Sequence, residues 1–272
     1  MSNESHDSVP PLSGWEADAP PQDTAFRQFV LAQTAFQRAA GEALDAEIIE
    51  TDAFVAVDTG RPATMINFTV VKQPLIGPWV DEAMQTIKAL YDQPGKSGFV
   101  ALFSPLPTPD LSPWGWNLAG HPPIQVRHPA FPLLDTGTVE VRPVTTEADR
   151  RLLEQIMVDG FGFEEMRGAA PGSHLGDRLL DDPRLQGAIG SVAGQPVSAA
   201  ASIVEAGIVN IVMVATVPEG RRKGGGLAVT QAVTRPELGL PAVLFSSDEG
   251  RPVYERLGYM PMLRGAFWYR NR

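Results

Sequence analysis

The feature that most constrains this chain is an apolar run that ends at a proline and a cluster of glycines. Residues 208–217 read IVNIVMVATV, a nearly continuous apolar stretch of the length of one strand. Such a run is typical of a strand that is covered on both faces of a sheet. Pro218 ends the run, and the segment GRRKGGG at 220–226 precedes a helix-forming segment at 227–234. The sequence therefore predicts a buried strand, a glycine-rich turn and a helix, in that order.

A turn of this kind is suited to binding phosphate. The first N–H groups of a helix have no partner within the helix, and the helix dipole adds partial positive charge there. Glycines lack a Cβ and let an anion approach the backbone, while Arg221, Arg222 and Lys223 add charge at the same place. Two other phosphate loops do not fit, since Leu227 and Ala228 follow the last glycine and the spacing G-x-G-x-x-G is absent.

The segment resembles the acyl-coenzyme A loop of the GNAT (GCN5-related) N-acetyltransferase superfamily, whose pattern is Arg/Gln-x-x-Gly-x-Gly/Ala. Six consecutive residues match this pattern: Arg221, Arg222, Lys223, Gly224, Gly225 and Gly226. Residues 214–219 before the loop resemble the family's fourth strand. Residues 245–247 and 251–259 resemble its fifth strand and last helix. The resemblance extends from about Thr138 to Arg272, which is half of the chain.

The resemblance implies an acyltransferase that moves an acetyl group from acetyl-CoA to a primary amine by direct attack in a ternary complex. In the family, backbone groups of the fourth strand contact the pantetheine arm, and Ala215 and Val217 hold the matching positions here. One of their N–H groups is then the expected oxyanion donor. Ser247 is a further expected cofactor contact, and Tyr254 matches the family's general acid. A phenol with a pKa of about 10 is protonated at neutral pH and can donate to a thiolate.

The sequence does not identify a general base. Glu164 and Glu165 follow the first helix of the second half, Glu205 ends a strand, and Asp248 lies beside the cofactor strand. We expect each of them to be a solvated charge or a cap, because acidic residues are mostly exposed. His174 lies alone in a polar loop, and we expect no catalytic role for it. A chain of water molecules is an alternative route for the proton.

Hydrophobic periodicity and turn residues predict the remaining elements. The expected helices are at 24–43, 79–91, 145–160 and 227–234, with a short one that starts at Pro252 and ends just before Gly258. The expected strands are at 54–57, 65–71, 98–103, 138–142, 185–192, 197–204, 208–217, 242–245 and 265–269. The second half therefore has the order β-α-β-β-β-α-β-α-β. The expected fold class is α/β (α+β), with a GNAT-like mixed central sheet flanked by helices.

The first half resembles a second, degenerate copy of the same fold. Residues 99–103 and 111–116 resemble a fifth strand and a last helical turn. No Arg-x-x-Gly-x-Gly pattern occurs between Asn67 and Gly98. The resemblance therefore implies that the first half does not bind CoA but covers one side of the acceptor cleft.

The region between the halves is rich in proline, with eight prolines between Pro105 and Pro132. This composition predicts extended turns and no central strand. Trp79, Trp114 and Trp116 could line an apolar pocket, but we expect them to pack in a core.

We divide the chain into a disordered tail at 1–23, a degenerate GNAT-like domain at 24–135 and an acetyl-CoA-binding GNAT domain at 136–272. The tail is rich in Pro, Ser, Asp and Glu, and such a segment cannot bury enough apolar surface to order itself. The two domains then form a tandem arrangement.

Charge and cysteine content exclude several classes of function. The 272 residues include no cysteine and carry a formal net charge of −10. The chain therefore has no disulfide, thiolate zinc site or cysteine nucleophile, and we predict no metal site and a cytoplasmic location. The acidic charge disfavours nucleic acid and anionic membranes. We expect a small-molecule or peptide amine as partner and a monomer or homodimer.

Two other functions stay open. A non-catalytic acyl-CoA-binding or regulatory protein would keep the loop without turnover. A small-molecule-binding module would use the first half as its specificity domain. Replacement of Tyr254 by Phe distinguishes the first of these from an enzyme, because only an enzyme would lose turnover without losing CoA binding.

Overall fold

The structure is a computed structural model that describes residues 25–63, 66–129, 131–162, 164–237 and 239–272. The predicted tail at 1–23 lies outside these residues. The helices are α1 (Ala25–Ala43), α2 (Trp79–Tyr91), α3 (Glu147–Phe161), α4 (Gly225–Thr234) and α5 (Arg251–Arg256). The strands are β1 (Glu47–Glu50), β2 (Phe54–Asp58), β3 (Phe68–Val71), β4 (Phe99–Ser104), β5 (Asn117–Gly120), β6 (Pro123–Arg127), β7 (Glu140–Pro143), β8 (Leu185–Val192), β9 (Gln195–Glu205), β10 (Ile208–Thr216), β11 (Ala242–Phe245), β12 (Tyr259–Arg264) and β13 (Ala266–Asn271).

Most predicted elements are confirmed, and several coincide with the structure to the residue. The helix at 79–91 and the strands at 185–192 and 242–245 have the predicted bounds. The start of α3 is fixed by a capping box in which Thr146 accepts from the Asp149 N–H and Asp149 accepts from the Thr146 N–H. Strands β1, β5, β6 and β12 were not predicted.

The strands form two mixed sheets, which confirms the predicted fold class. The first sheet has six strands in the order β1-β2-β3-β4-β13-β5. The second has seven strands in the order β12-β6-β11-β10-β9-β8-β7. Each sheet contains one parallel pair, β3 with β4 and β10 with β11, and the other neighbours are antiparallel.

The two sheets repeat one topology and exchange one strand. Antiparallel strands lead to the parallel pair in each sheet, two in the first and three in the second, and a strand from the other half of the chain follows the pair. That strand is β13 in the first sheet and β6 in the second. Each then pairs with the strand at the edge of the sheet, β5 in the first sheet and β12 in the second. The predicted division of the chain at 135/136 stays a prediction, but each predicted segment supplies one strand to the sheet of the other.

The expectation that the proline-rich region contains no central strand is wrong. Strand β6 lies inside the second sheet and pairs with both β11 and β12. Its prolines are placed so that they do not interrupt the pairing, because Pro122, Pro123 and Pro129 flank the residues Ile124 to Arg127. A proline removes a ladder hydrogen bond only at its own position.

The helices and sheets form alternating layers. Helix α1 lies between the two sheets, where Phe29 and Phe36 share one core with residues of both sheets, and α3 packs on β8, β9 and β10 of the second sheet. Helix α2 packs on the outer face of the first sheet, and α4 and α5 pack on the outer face of the second. Trp116 is 1% exposed within the outer core of the first sheet, and Trp79 and Trp114 pack against it. Core packing is therefore confirmed as the use of these tryptophans.

An ion cluster ties the exchanged strand β13 to the first sheet. Asp58, at the end of β2, is fully buried and lies 2.7 Å from Arg272 and 2.9 Å from Lys96. The Arg272 guanidinium also donates to the carbonyl of Ser97 at 2.8 Å. A buried charge of this kind is stabilising only when it is paired. No helix among the described residues has the length and apolarity needed to cross a membrane.

Candidate active site

The second sheet opens along its parallel pair. Strands β10 and β11 are paired at Val209, Asn210 and Ile211. A register shift in β10 follows between Ile211 and Met213. Beyond it, β10 continues to Thr216 alongside β9, and the described register with β11 stops. The two strands therefore diverge, and a gap opens between the last residues of β10 and the segment that follows β11.

Alternate backbone groups of β10 face this gap. The N–H of Val217 donates to the carbonyl of Val197 on β9 at 2.9 Å. Ala215 belongs to the same set, because alternate residues of an antiparallel strand point to the same neighbour. The predicted backbone donors are therefore corrected by one residue: Ala215 and Val217 serve the sheet, whereas Val214 and Thr216 point away from β9.

Each of the three glycines of the loop has a different local environment. Gly224 has φ +85°, a left-handed conformation that L side chains rarely adopt. A Cβ on Gly225 would lie 2.0 Å from the Oγ of Ser198, so close packing of α4 on β9 requires glycine there. A Cβ on Gly226 would have Thr216 Oγ1 at 3.5 Å as its nearest contact. Gly226, at the first turn of α4, therefore has room for a Cβ in ordinary van der Waals contact.

Of the three cationic residues of the loop, Arg221 is held by a hydrogen bond to α3, and the other two are exposed and form no ion pair within the described residues. The Arg221 guanidinium donates to the carbonyl of Gly160, at the end of α3, at 3.2 Å. Arg222 and Lys223 are exposed, and neither forms an ion pair with another described residue. Arg222 has φ +63°, which is uncommon for a residue other than glycine and turns the loop towards α4. The helix start, the glycines and these two charges together fit a diphosphate.

Tyr254 reaches the same gap from α5. Its side chain is half-buried, packs edge-on against Tyr259 with ring centroids 6.1 Å apart, and lines the cleft described below. Burial, with a smaller contribution from Tyr259, raises the pKa of the Tyr254 hydroxyl. The hydroxyl makes no hydrogen bond within the described chain. Ser247 also lines the cleft, and its Oγ accepts from the N–H of Gly250 at 3.0 Å.

A cleft of about 600 Å³ joins the gap to the space between the two sheets. Residues from both halves of the chain line it, including α1, β3, β4 and β13 on one side and β10 and the segment after β11 on the other. The first half therefore covers one side of this cleft.

The acidic residues considered as bases have structural partners. Asp248 lies at the cleft, and its carboxylate pairs with Arg264 at 2.6 Å. The hydrogen bond from the Arg264 guanidinium holds the pKa of the Asp248 carboxyl below its usual range. Glu164 pairs with Arg167 at 2.7 Å and Glu205 with Arg184 at 2.6 Å.

The loop that contains Glu165 and His174 is organised by a residue that the sequence did not single out. Glu154 of α3 is 6% exposed, and its carboxylate accepts the N–H groups of Gly172, His174 and Leu175. His174 is itself buried, and its Nε2 bonds to the carbonyl of Met166 at 2.8 Å. These bonds shape the loop beside α3, and His174 is one of the buried residues that form them.

His121 is the cleft residue that the sequence reasoning missed. It lies in the turn between β5 and β6 and lines the cleft. Its Nδ1 lies 3.1 Å from the carbonyl of Gly265, and a carbonyl only accepts, so Nδ1 carries the proton. In the neutral imidazole, Nε2 then keeps its lone pair. The residues around His121 in the sequence give no sign of a role at the cleft. His121 reaches the cleft because the strand exchange brings this turn to the second sheet.

Comparisons with known proteins identify the fold. No protein-family model matches the chain. No curated protein matches it either. Solved structures do match: a GCN5-related N-acetyltransferase from Kribbella flavida is 18% identical with a TM-score of 0.58, over 87% of this chain and 95% of that one. A GCN5-related N-acetyltransferase from Sphaerobacter thermophilus is 15% identical with a TM-score of 0.53, over 89% and 92%.

A functionally unknown conserved protein from Staphylococcus epidermidis ATCC 12228 is 14% identical with a TM-score of 0.59, over 84% of this chain and 95% of that one. At such identities the likeness shows the fold alone. The repeated topology of the two sheets agrees with it. The chain therefore has the fold of the GCN5-related N-acetyltransferases, present twice, with one strand exchanged between the two copies.

Proposed function

We propose that the protein is an N-acetyltransferase that uses acetyl-CoA to acetylate a primary amine. The observation that carries the proposal is that Val214 of β10 and Tyr254 of α5 line one cleft beside the gap, and that the chain runs from the end of β10 into the glycine-rich start of α4. Acetyl-CoA supplies an activated acetyl thioester there. The N–H groups of Gly225 and Gly226, with Arg222 and Lys223, would hold its diphosphate.

The residues of the cleft have complementary roles in acetyl transfer. The N–H of Val214 faces the gap and can donate to the carbonyl oxygen as negative charge develops on it. A bond forms between the amine nitrogen and the acetyl carbon while the carbon–sulfur bond breaks. Tyr254 donates its proton to the departing sulfur. His121 Nε2 accepts the proton that the amine nitrogen loses.

We expect that replacement of His121 by Gln lowers kcat/KM about a hundredfold near neutral pH, because the proton acceptor is removed. The loss should shrink as the pH rises, since hydroxide from the solvent can then accept the proton that the amine nitrogen loses. A pH profile of the rate of CoA release measures both effects. A loss of the same size at all pH values would show that His121 has a structural role.

A non-catalytic acyl-CoA-binding protein is the second candidate. The ion pair between Asp248 and Arg264 favours it, because no unpaired carboxylate then remains among the described residues that line the cleft. Calorimetric titration with acetyl-CoA, followed by a CoA-release assay with a panel of primary amines, separates the two candidates. Micromolar binding with acetylation of at least one amine supports the enzyme. Binding without turnover across the panel supports the second candidate, and absence of binding overturns both.

A further inference from the structure

Phenylalanine is the most frequent residue type in the wall of the cleft. Six phenylalanines, each from a different helix or strand, line it: Phe36, Phe68, Phe99, Phe161, Phe245 and Phe267. Two of their rings, Phe68 and Phe267, contact each other with centroids 5.8 Å apart, and Phe161 keeps 42% of its surface exposed. A cavity with such walls gains binding energy from an apolar ligand and little from a fully hydrated one.

The charge of the lining limits the ligand further. Its described residues include no lysine or arginine, so a carboxylate or phosphate group entering the cleft meets no cation. The one acidic side chain, Asp248, is exposed and already paired with Arg264. Burying an unpaired charge is costly. Ligands with several positive charges, or with a carboxylate, are therefore disfavoured.

Two carboxamides of α1 add specific polar contacts. Gln33 and Gln37 lie four residues apart, are 3% and 1% exposed, and line the cleft. Gln37 Nε2 donates to the carbonyl of Ile66 at 2.6 Å, which leaves Oε1 as the atom available for a ligand. Gln33 Oε1 accepts from Asn210 Nδ2 at 2.9 Å, and Gln33 Nε2 has no partner within the described ranges. The pair offers both a donor and an acceptor in an otherwise apolar wall.

We propose that the acceptor is an arylalkylamine or alkylamine with one neutral hydrogen-bonding group, such as a hydroxyl, and without a carboxylate or phosphate. This inference rests on the acetyltransferase function proposed above. The aromatic walls take the apolar body, the amide groups of Gln33 and Gln37 bind the neutral polar group, and the amine lies towards the gap beside β10.

The first test measures binding without turnover. Tyramine, 2-phenylethylamine, tyrosine and spermidine are titrated calorimetrically into the protein saturated with CoA, which cannot transfer an acetyl group. We expect tyramine to bind at least about thirtyfold more tightly than tyrosine or spermidine, and more tightly than 2-phenylethylamine. Equal or tighter binding of tyrosine or spermidine would overturn the inference.

The second test uses variants of α1. Replacement of Gln37 by Leu should weaken tyramine binding about tenfold and leave 2-phenylethylamine binding within about twofold, because only tyramine has a hydroxyl to lose its partner. Thr34→Val is the matched control: its Oγ1 is buried in the same helix and donates to Val30 O, but it does not line the cleft. If the Gln37 variant does not fold, Gln33→Leu replaces it. Equal losses for both amines in a folded variant would contradict the inference.

These measurements distinguish failure of the acceptor class from failure of the transferase function. If tyramine binds as expected but no acetyltyramine forms from acetyl-CoA, the cleft is a binding site and the proposed enzyme is wrong. If spermidine or an amino acid is acetylated while arylalkylamines are neither bound nor acetylated, the enzyme is supported and the acceptor class is wrong.

Discussion

Replacement of Gly226 by Glu is expected to raise the Kd for acetyl-CoA about a hundredfold or more while the protein stays folded. The fold is expected to tolerate the side chain, because a Cβ at this position has its nearest contact at 3.5 Å. A carboxylate in the first turn of α4 is also favourable for the helix dipole. It would repel the diphosphate at the place where the N–H groups of the helix start are needed. Calorimetric titration with acetyl-CoA, together with thermal unfolding, measures both outcomes.

Two further variants separate charge from shape. Gly226→Gln has nearly the same size as Gly226→Glu without the charge, and we expect it to weaken binding much less. Gly225→Ala should instead lower the melting temperature, because its Cβ would collide with Ser198 at 2.0 Å. Unchanged acetyl-CoA binding in Gly226→Glu would show that the diphosphate does not bind at α4, and the assignment of the loop would then be abandoned.

Replacement of Tyr254 by Phe is expected to lower kcat about a hundredfold and to leave the Kd for acetyl-CoA unchanged. The departing thiolate then loses its proton donor, while the ring keeps its edge contact with Tyr259. The measurement is a CoA-release assay, with any amine that the unaltered protein acetylates, beside a titration with acetyl-CoA. Equal loss of binding and turnover would indicate that Tyr254 only supports the packing of α5.

The pH dependence of the same reaction provides an independent check on Tyr254. Burial raises the pKa of its hydroxyl, so the group stays protonated as the pH rises through the usual tyrosine value of about 10. Since the acid form is the active form, kcat should not fall through deprotonation of Tyr254 around that pH. A decline of kcat with an apparent pKa well below 10 that disappears in Tyr254→Phe would contradict this.

The loop and its flanking elements were predictable because their signals are local. The apolar run that contains β10 ends at Pro218. The glycines that follow allow the first turn of α4 to pack closely on the sheet. The capping residues of α3, Thr146 and Asp149, lie three positions apart, as the backbone geometry of a helix start requires. In each case the residues that determine the structure lie within a few positions of each other.

The same residues did not predict which backbone groups of β10 face β9 and which face the gap. The register of β10 shifts between Ile211 and Met213. A shift of one residue reverses the direction in which each later backbone N–H and C=O group of the strand points. The sequence resemblance pointed to Ala215 and Val217. The hydrogen bond from Val217 to Val197 shows that Val214 and Thr216 face the gap instead.

The sequence by itself therefore determined the order of most elements, the glycine loop and the position of Tyr254, because hydrophobic period, proline and glycine act over short distances along the chain. Only the tertiary structure decided the exchange of β6 and β13, since a strand of five or six residues carries no local mark of its neighbours in a sheet. That exchange brings His121 to the second sheet, and the packing of α1 between the sheets brings Gln33 and Gln37 to the cleft. The chemistry of the acceptor side depends on these long-range contacts.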